Sequence, residues 1–173
     1  MITFSAEDDT GVTLLHNDAL VITVFIDCFQ VKQVMVDPGS SANIMHLKVV
    51  EEMGLLEKLI PAVRTFAGFN MFSEITKGEI DLLMEAGGVI KEMKFYVIDG
   101  DIRYNAIFER PWLHDMKAVS STLHLRLKFP TSEGIRKIQG INRHQRRRSQ
   151  LRSLRQAKQP QPINSNHRSR NLS

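Results

Sequence analysis

The stretch Val34-Met35-Val36-Asp37-Pro38-Gly39-Ser40-Ser41 constrains this chain more than any other. An apolar, β-branched run ends on one carboxylate, and turn-forming residues follow at once. A carboxylate at the end of a buried strand costs free energy unless something bonds or uses its charge. Taken alone, Asp-Pro-Gly is a good turn tripeptide, with the Asp side chain bonding backbone two residues on. The other reading is chemical. Two carboxylates that face each other share a proton and can activate a water between them. The chain holds one such corner and no internal repeat, so a second carboxylate of this kind would have to come from another chain.

The residues around the corner read mostly as strands. Ala19 to Ile26 is β-branched and apolar, Asp27 to Gln30 makes a short corner, and Val31 to Val36 returns as the second arm of a hairpin. Asn43 to Met53 has helical spacing, with Gly54 as its stop. Arg64 to Asn70 begins an extended segment that Glu74 to Leu83 continues, with Gly78 as a break. Gly87-Gly88 is a turn before an alternating strand, Val89 to Ile98. Tyr104 to Phe108 is a short buried strand, and Pro111 suits the first turn of a helix in which Trp112 packs. Ser121 to Phe129 alternates Leu123, Leu125, Leu127 and Phe129 with His124, Arg126 and Lys128, which predicts a strand with one wet face. Many short strands and one or two short helices predict an all-β chain that forms a small closed or half-closed barrel.

Charge divides the 173 residues. Residues 1 to 133 carry 12 Lys and Arg against all 19 Asp and Glu, a balance of −7. Residues 134 to 173 carry the other 11 Lys and Arg and no acid, a balance of +11. The predicted organisation is a lead-in segment over 1–18, a folded domain over 19–138 and a basic tail over 139–173 with too few apolar residues to build a core. Such a tail is read as disordered and without a function of its own, either a linker or the out-of-frame end of a decayed element; nucleic-acid binding is the alternative. No apolar run approaches the roughly 18 residues of a membrane helix. The acidic start, Met1 to Asp9, does not read as a secretory signal. Cys28 stands alone, which fits a reducing compartment and reads as a buried small hydrophobe.

Further along, the corner is one part of an ordered set: Val36-Asp37-Pro38-Gly39-Ser40-Ser41-Ala42-Asn43-Ile44, then Phe66-Ala67-Gly68-Phe69, then Tyr104-Asn105-Ala106-Ile107 with Arg110-Pro111-Trp112-Leu113, then Ser121-Thr122-Leu123-His124-Leu125 with Lys128-Phe129-Pro130-Thr131. The lead-in, Phe4 to Asp8 and His16 to Val21, belongs to the same pattern. This set resembles the retropepsin-like aspartic protease domain of plant gypsy-class LTR retrotransposon polyproteins, over roughly residues 1 to 138. Asp-x-Gly alone is a weak signal; the ordered set is a strong one.

The resemblance implies an all-β half-barrel that functions as a homodimer and cleaves peptide or polyprotein substrates. Asp37 is then the catalytic acid, one per subunit, and Pro38, Gly39, Ser40 and Ser41 form the active-site loop. Phe66, Gly68 and Phe69 lie in a flap over the substrate. Ala106 and Ile107 belong to a supporting strand beneath the loop. The resemblance implies no cofactor, no metal and no membrane, and an intracellular setting, cytoplasmic or within retroelement particles, rather than secretion. Two positions depart from the pattern. Pro38 stands where the family usually has Thr or Ser, whose hydroxyl braces the two loops across the dimer. Glu109 stands where it has Gly, so a charged, Cβ-bearing residue either strains a tight turn there or places a charge beneath the site. These departures keep open an alternative: a catalytically inactive dimerisation or peptide-binding module.

Other residues read blandly. Asp99 and Asp101 lack the further oxygen ligands of a calcium loop and belong to a solvated connection. The six His residues never pair at metal-ligand spacing, and one Cys does not make a zinc site. No Gly-x-Ser-x-Gly elbow marks a serine hydrolase, and no Gly-rich loop would cradle a phosphate.

Overall fold

The computed structural model describes residues 1–9, 16–39, 41–67 and 73–142, within a unit that spans Met1–Asn142. In chain order the strands are β1 (Val21–Ile26), β2 (Phe29–Val36), β3 (Ile44–His46), β4 (Thr65–Ala67), β5 (Ser73–Ala86), β6 (Val89–Ile98), β7 (Ala106–Phe108), β8 (Val119–Ser121), β9 (Arg126–Thr131) and β10 (Gly134–Gln139). Two short helices are α1 (Leu47–Glu52) and α2 (Arg110–Asp115). A seven-stranded sheet runs β1-β2-β7-β3-β6-β5-β4, and a further β1–β5 pairing closes it into a barrel. A three-stranded sheet, β10-β9-β8, completes the all-β architecture. Among the described residues no helix is long and apolar enough to cross a membrane.

The barrel exists because its strands alternate. Val24, Ile26, Ile80, Leu82 and Met84 turn inward, while Phe25, Asp81 and Leu83 face out. Full burial of one Val, Leu, Ile or Phe side chain contributes roughly 1.5–3 kcal/mol. Phe108 sits at the centre, its ring 4.8 Å from Trp112 and 5.5 Å from Phe95. Trp112 is therefore core packing, as the sequence predicted.

Several elements differ from their sequence readings. The hairpin corner is tighter than expected: only Asp27 and Cys28 lie between the arms, and Phe29 and Gln30 already pair with β1. Asp27 takes φ +50°, which Asp tolerates better than most residues. Its Oδ1 accepts from the Leu83 N–H at 3.0 Å. Because the turn closes here, Cys28 lies at its tip and is exposed, not buried.

The helix expected over residues 43 to 53 starts as β3. Ile44 pairs in parallel with Tyr96 of β6 and antiparallel with Ile107 of β7. That slot between two strands satisfies backbone groups which a helix would leave unpaired. The helix begins only after His46, whose Nδ1 accepts from the Lys48 N–H at 3.1 Å.

Gly78 is not a break. β5 continues through it with a register shift between Thr76 and Gly78. A Cβ at Gly78 would stand 2.5 Å from the Ile60 carbonyl oxygen, so only glycine lets β5 pass this close.

Residues 121 to 129 are not one strand. A turn after Ser121 folds β8 back on β9, with Ser121 opposite Arg126. Leu125 takes φ +47° in that turn. The predicted alternation fails with it: Leu123 is exposed and Arg126 is buried.

Arg126 is buried because the lead-in segment meets it. Ala6–Asp9 forms a 3-10 turn that places the Asp8 carboxylate 2.7 Å from Lys128 Nζ and 3.4 Å from Arg126. Lys128 also donates to the Thr3 carbonyl at 2.8 Å, and Phe4 stacks on His124. The Lys128 hydrogen bond, helped by the Ser5 N–H, holds the Asp8 carboxyl down at about 2.

Candidate active site

Asp37 leaves the barrel where β2 ends. β2 runs parallel to β7, with Val36 beside Phe108, so both strands stop at the same edge. The Asp37 N–H donates to the Phe108 carbonyl at 2.8 Å, which extends the ladder by one bond into the corner. Val36 is buried, Asp37 is half-buried, and Pro38 and Gly39 are exposed. The apolar run thus ends on a carboxylate at the rim of the core.

The Asp37 carboxylate folds back on its own loop. Its Oδ1 accepts from the Gly39 N–H at 2.8 Å, the local bond expected of an Asp in a turn. A Cβ at Gly39 would lie 3.0 Å from that oxygen, so a residue without one suits the position. Pro38 has no backbone N–H and no hydroxyl to offer the carboxylate.

The loop's far end is tied to the start of α2. β3 enters antiparallel to β7, with Ile44 opposite Ile107, and this sets Asn43 beside Glu109. Asn43 Oδ1 accepts from the Glu109 N–H at 3.0 Å. Glu109 Oε2 accepts from the Ala42 N–H at 3.2 Å. Asn43 Nδ2 donates to the Lys94 carbonyl at 3.3 Å. Asn43 and Glu109 are both buried. Glu109 takes φ −120°, an extended conformation open to any residue. Its side chain lies beneath the loop and is hydrogen-bonded to it through the Ala42 N–H.

Of the residues singled out from sequence, Asp37, Pro38, Gly39 and Ser41 form the corner, with Ser41 exposed. Ser40 lies outside the described residues. Ala106 and Ile107 lie on β7, between β2 and β3. Phe66 lies on β4 opposite Glu74 of β5, in a hairpin that also pairs Thr65 with Ile75 and Ala67 with Ser73. Gly68 and Phe69, which the flap reading includes, lie outside the described residues. So does the basic segment from residue 143 onward. No group of three or more His, Cys, Asp or Glu among the described residues is arranged to hold a metal. Asp99 and Asp101 are exposed. Sequence reasoning missed Asn43 and the partnership of Ala42 with Glu109, although the oddity of Glu109 itself was visible.

Solved structures share this architecture. The retroviral protease-like domain of Ddi1 from Leishmania major matches with a TM-score of 0.56 and 21% identity, covering 72% of this chain and 94% of that one. A retropepsin-like aspartic protease from Rickettsia conorii matches with a TM-score of 0.50 and 19% identity, covering 72% and 85%. The fold is retropepsin-like. No protein-family model matches the sequence, and no curated protein matches it. β2 and β7 form the floor of the Asp37 corner, and β4 pairs with Ser73 to Ile75 at the start of β5, beyond the part of β5 that closes the ring.

Proposed function

We propose that the chain is an aspartic endopeptidase of retropepsin type, active as a homodimer, with peptide segments of a retroelement polyprotein as its substrates. One observation carries this reading: the Asp37-Pro38-Gly39 corner stands at the rim of a retropepsin-like barrel, its backbone bonded to β7 and its Pro38, Gly39 and Ser41 exposed. Two copies related by a twofold axis would bring two Asp37 carboxylates together. Like charges about 3 Å apart do not both ionise, so the pair keeps one proton. One carboxylate accepts a proton from the attacking water, and the other, protonated, polarises the scissile carbonyl. The β4–β5 hairpin would close over the peptide and exclude bulk water. The retroelement substrate class is supported by the ordered sequence motifs, and the intracellular setting by the lone Cys28.

A second reading, an inactive dimerising or peptide-binding module, is favoured by Pro38, which adds neither hydroxyl nor N–H to the loop. Peptide cleavage measured at about pH 5 separates the two, because a shared-proton pair works where one carboxyl of the two is protonated. The native chain should cleave and Asp37→Asn should not, and a peptide isostere with a hydroxyl at the scissile position should inhibit. Cleavage that survives Asp37→Asn rules out the peptidase reading. Native mass spectrometry of the same sample should show a dimer.

A further inference from the structure

The loop after Asp37 is fastened at both ends to one short stretch of chain. At its start, the Asp37 N–H bonds the Phe108 carbonyl. At its finish, Ala42 and Asn43 bond Glu109, the next residue along. The second attachment is reciprocal. The Glu109 N–H donates to the Asn43 side chain, and the Glu109 side chain accepts from the Ala42 N–H. Both side chains are buried, Asn43 at 2% and Glu109 at 3% exposure. Between these anchors the described residues offer the Asp37 carboxylate a single local bond, from Gly39. Pro38 adds none.

Glu109 is also well placed to transmit rigidity. Its carbonyl accepts from the Leu113 N–H at 3.1 Å and so opens α2, whose Trp112 and Leu113 are buried in the core. A side chain fixed by an element that is itself packed holds its partner more precisely than one on a free loop. Asn43 is fixed likewise: its side chain bonds the Lys94 carbonyl, and its own carbonyl accepts from the Tyr96 N–H at 2.9 Å.

We propose that Glu109 and Asn43 are positioning residues for Asp37: their reciprocal bond sets the height and angle at which the corner presents its carboxylate, from within one subunit. This rests on the reading of Asp37 as the reacting acid. The glutamate accepts from the Ala42 N–H, so the variants separate its acceptor oxygen from its charge. The two attributes are separable. Glu109→Gln keeps an acceptor oxygen at nearly the same place. Glu109→Met keeps the volume and removes the acceptor. Asn43→Ala breaks the bond from the other side.

Two readouts on the full chain test the inference. Backbone 15N relaxation at Asp37, Gly39 and Ala42 should give order parameters of about 0.85 in the native chain and in Glu109→Gln, and below about 0.6 in Glu109→Met and Asn43→Ala. In peptide cleavage, Glu109→Met should lower kcat by about tenfold or more with KM changed less than about threefold, and Glu109→Gln should recover most of the loss. Unchanged relaxation at Asp37 and Gly39 in both Glu109→Met and Asn43→Ala overturns the proposal, even if the melting temperature falls. A native-like kcat in Glu109→Met overturns it as well. If the native chain cleaves nothing, the peptidase reading fails, while the relaxation data still decide whether Glu109 and Asn43 hold the corner. Should one variant not fold, the other carries the same comparison.

Discussion

Gly39 marks how little room the Asp37 carboxylate has. An added methyl group would press on Oδ1 at 3.0 Å, against backbone that is already bonded to that oxygen. Gly39→Ala should therefore turn the carboxylate rather than unfold the chain. Peptide cleavage should drop about tenfold or more, because small misplacements of a reacting group cost large factors in rate. The melting temperature should stay within a few degrees. Steady-state kinetics beside a thermal melt checks both halves. Asp37 and Gly39 were legible in the sequence because their relation is local, two positions apart in one turn. Glu109 was visible only as an oddity. Its bond to Ala42 spans 67 positions and exists because β2, β7 and β3 end at one edge. No spacing rule in a linear sequence reports that kind of meeting.

The hairpin of β4 and β5 has a defined root. The Thr76 hydroxyl accepts from the Arg64 N–H at 2.9 Å and donates to the Ala62 carbonyl, and the Thr76 N–H donates to the Arg64 carbonyl at 3.0 Å. Thr76 is buried at the register shift where β5 leaves the barrel wall. Thr76→Val keeps the shape and strands two backbone partners. It should cost about 1–3 kcal/mol of stability, read as a lower urea midpoint. Limited proteolysis should first cut between residues 62 and 76, and KM for peptide should rise more than kcat falls. Cuts elsewhere in the barrel would remove the assignment of Thr76 as the root. Elements with strong local signals were legible: the arms of the β1–β2 hairpin, the Gly87-Gly88 turn and the proline at the start of α2. β3 was not, since its three residues become a strand only when β6 and β7 flank them. The alternating run after Ser121 misled for a related reason. Its pattern fitted a strand, yet the residues make a turn that lets β8 pair with β9.

At the scale of the whole molecule, Asp8 ties the lead-in to β9 across 120 positions. Lys128 holds its carboxyl at about 2, against 3.8 for an unperturbed Asp. A depressed carboxyl stabilises the fold above its unfolded value and loses that effect as pH falls toward the folded one. Urea midpoints for the native chain and Asp8→Asn should therefore differ at about pH 6, with the native chain higher, and converge as pH falls from about 4 to about 2. A difference that persists unchanged to the acid end would assign the effect to packing instead. Lys128→Met should lower stability more than Asp8→Asn, because it leaves the Asp8 carboxylate buried beside one remaining cation, Arg126. This arrangement was not legible in advance: Arg126 and Lys128 read as the wet face of a strand, and residues 1–18 only as a lead-in to the domain. The same contact also imposes an order in time. During synthesis Asp8 leaves the ribosome well over a hundred residues before Lys128 does, an interval of several seconds at roughly 5–20 residues per second. Until β9 appears, the acidic lead-in has nowhere to dock and stays open to any other cation-bearing surface it meets.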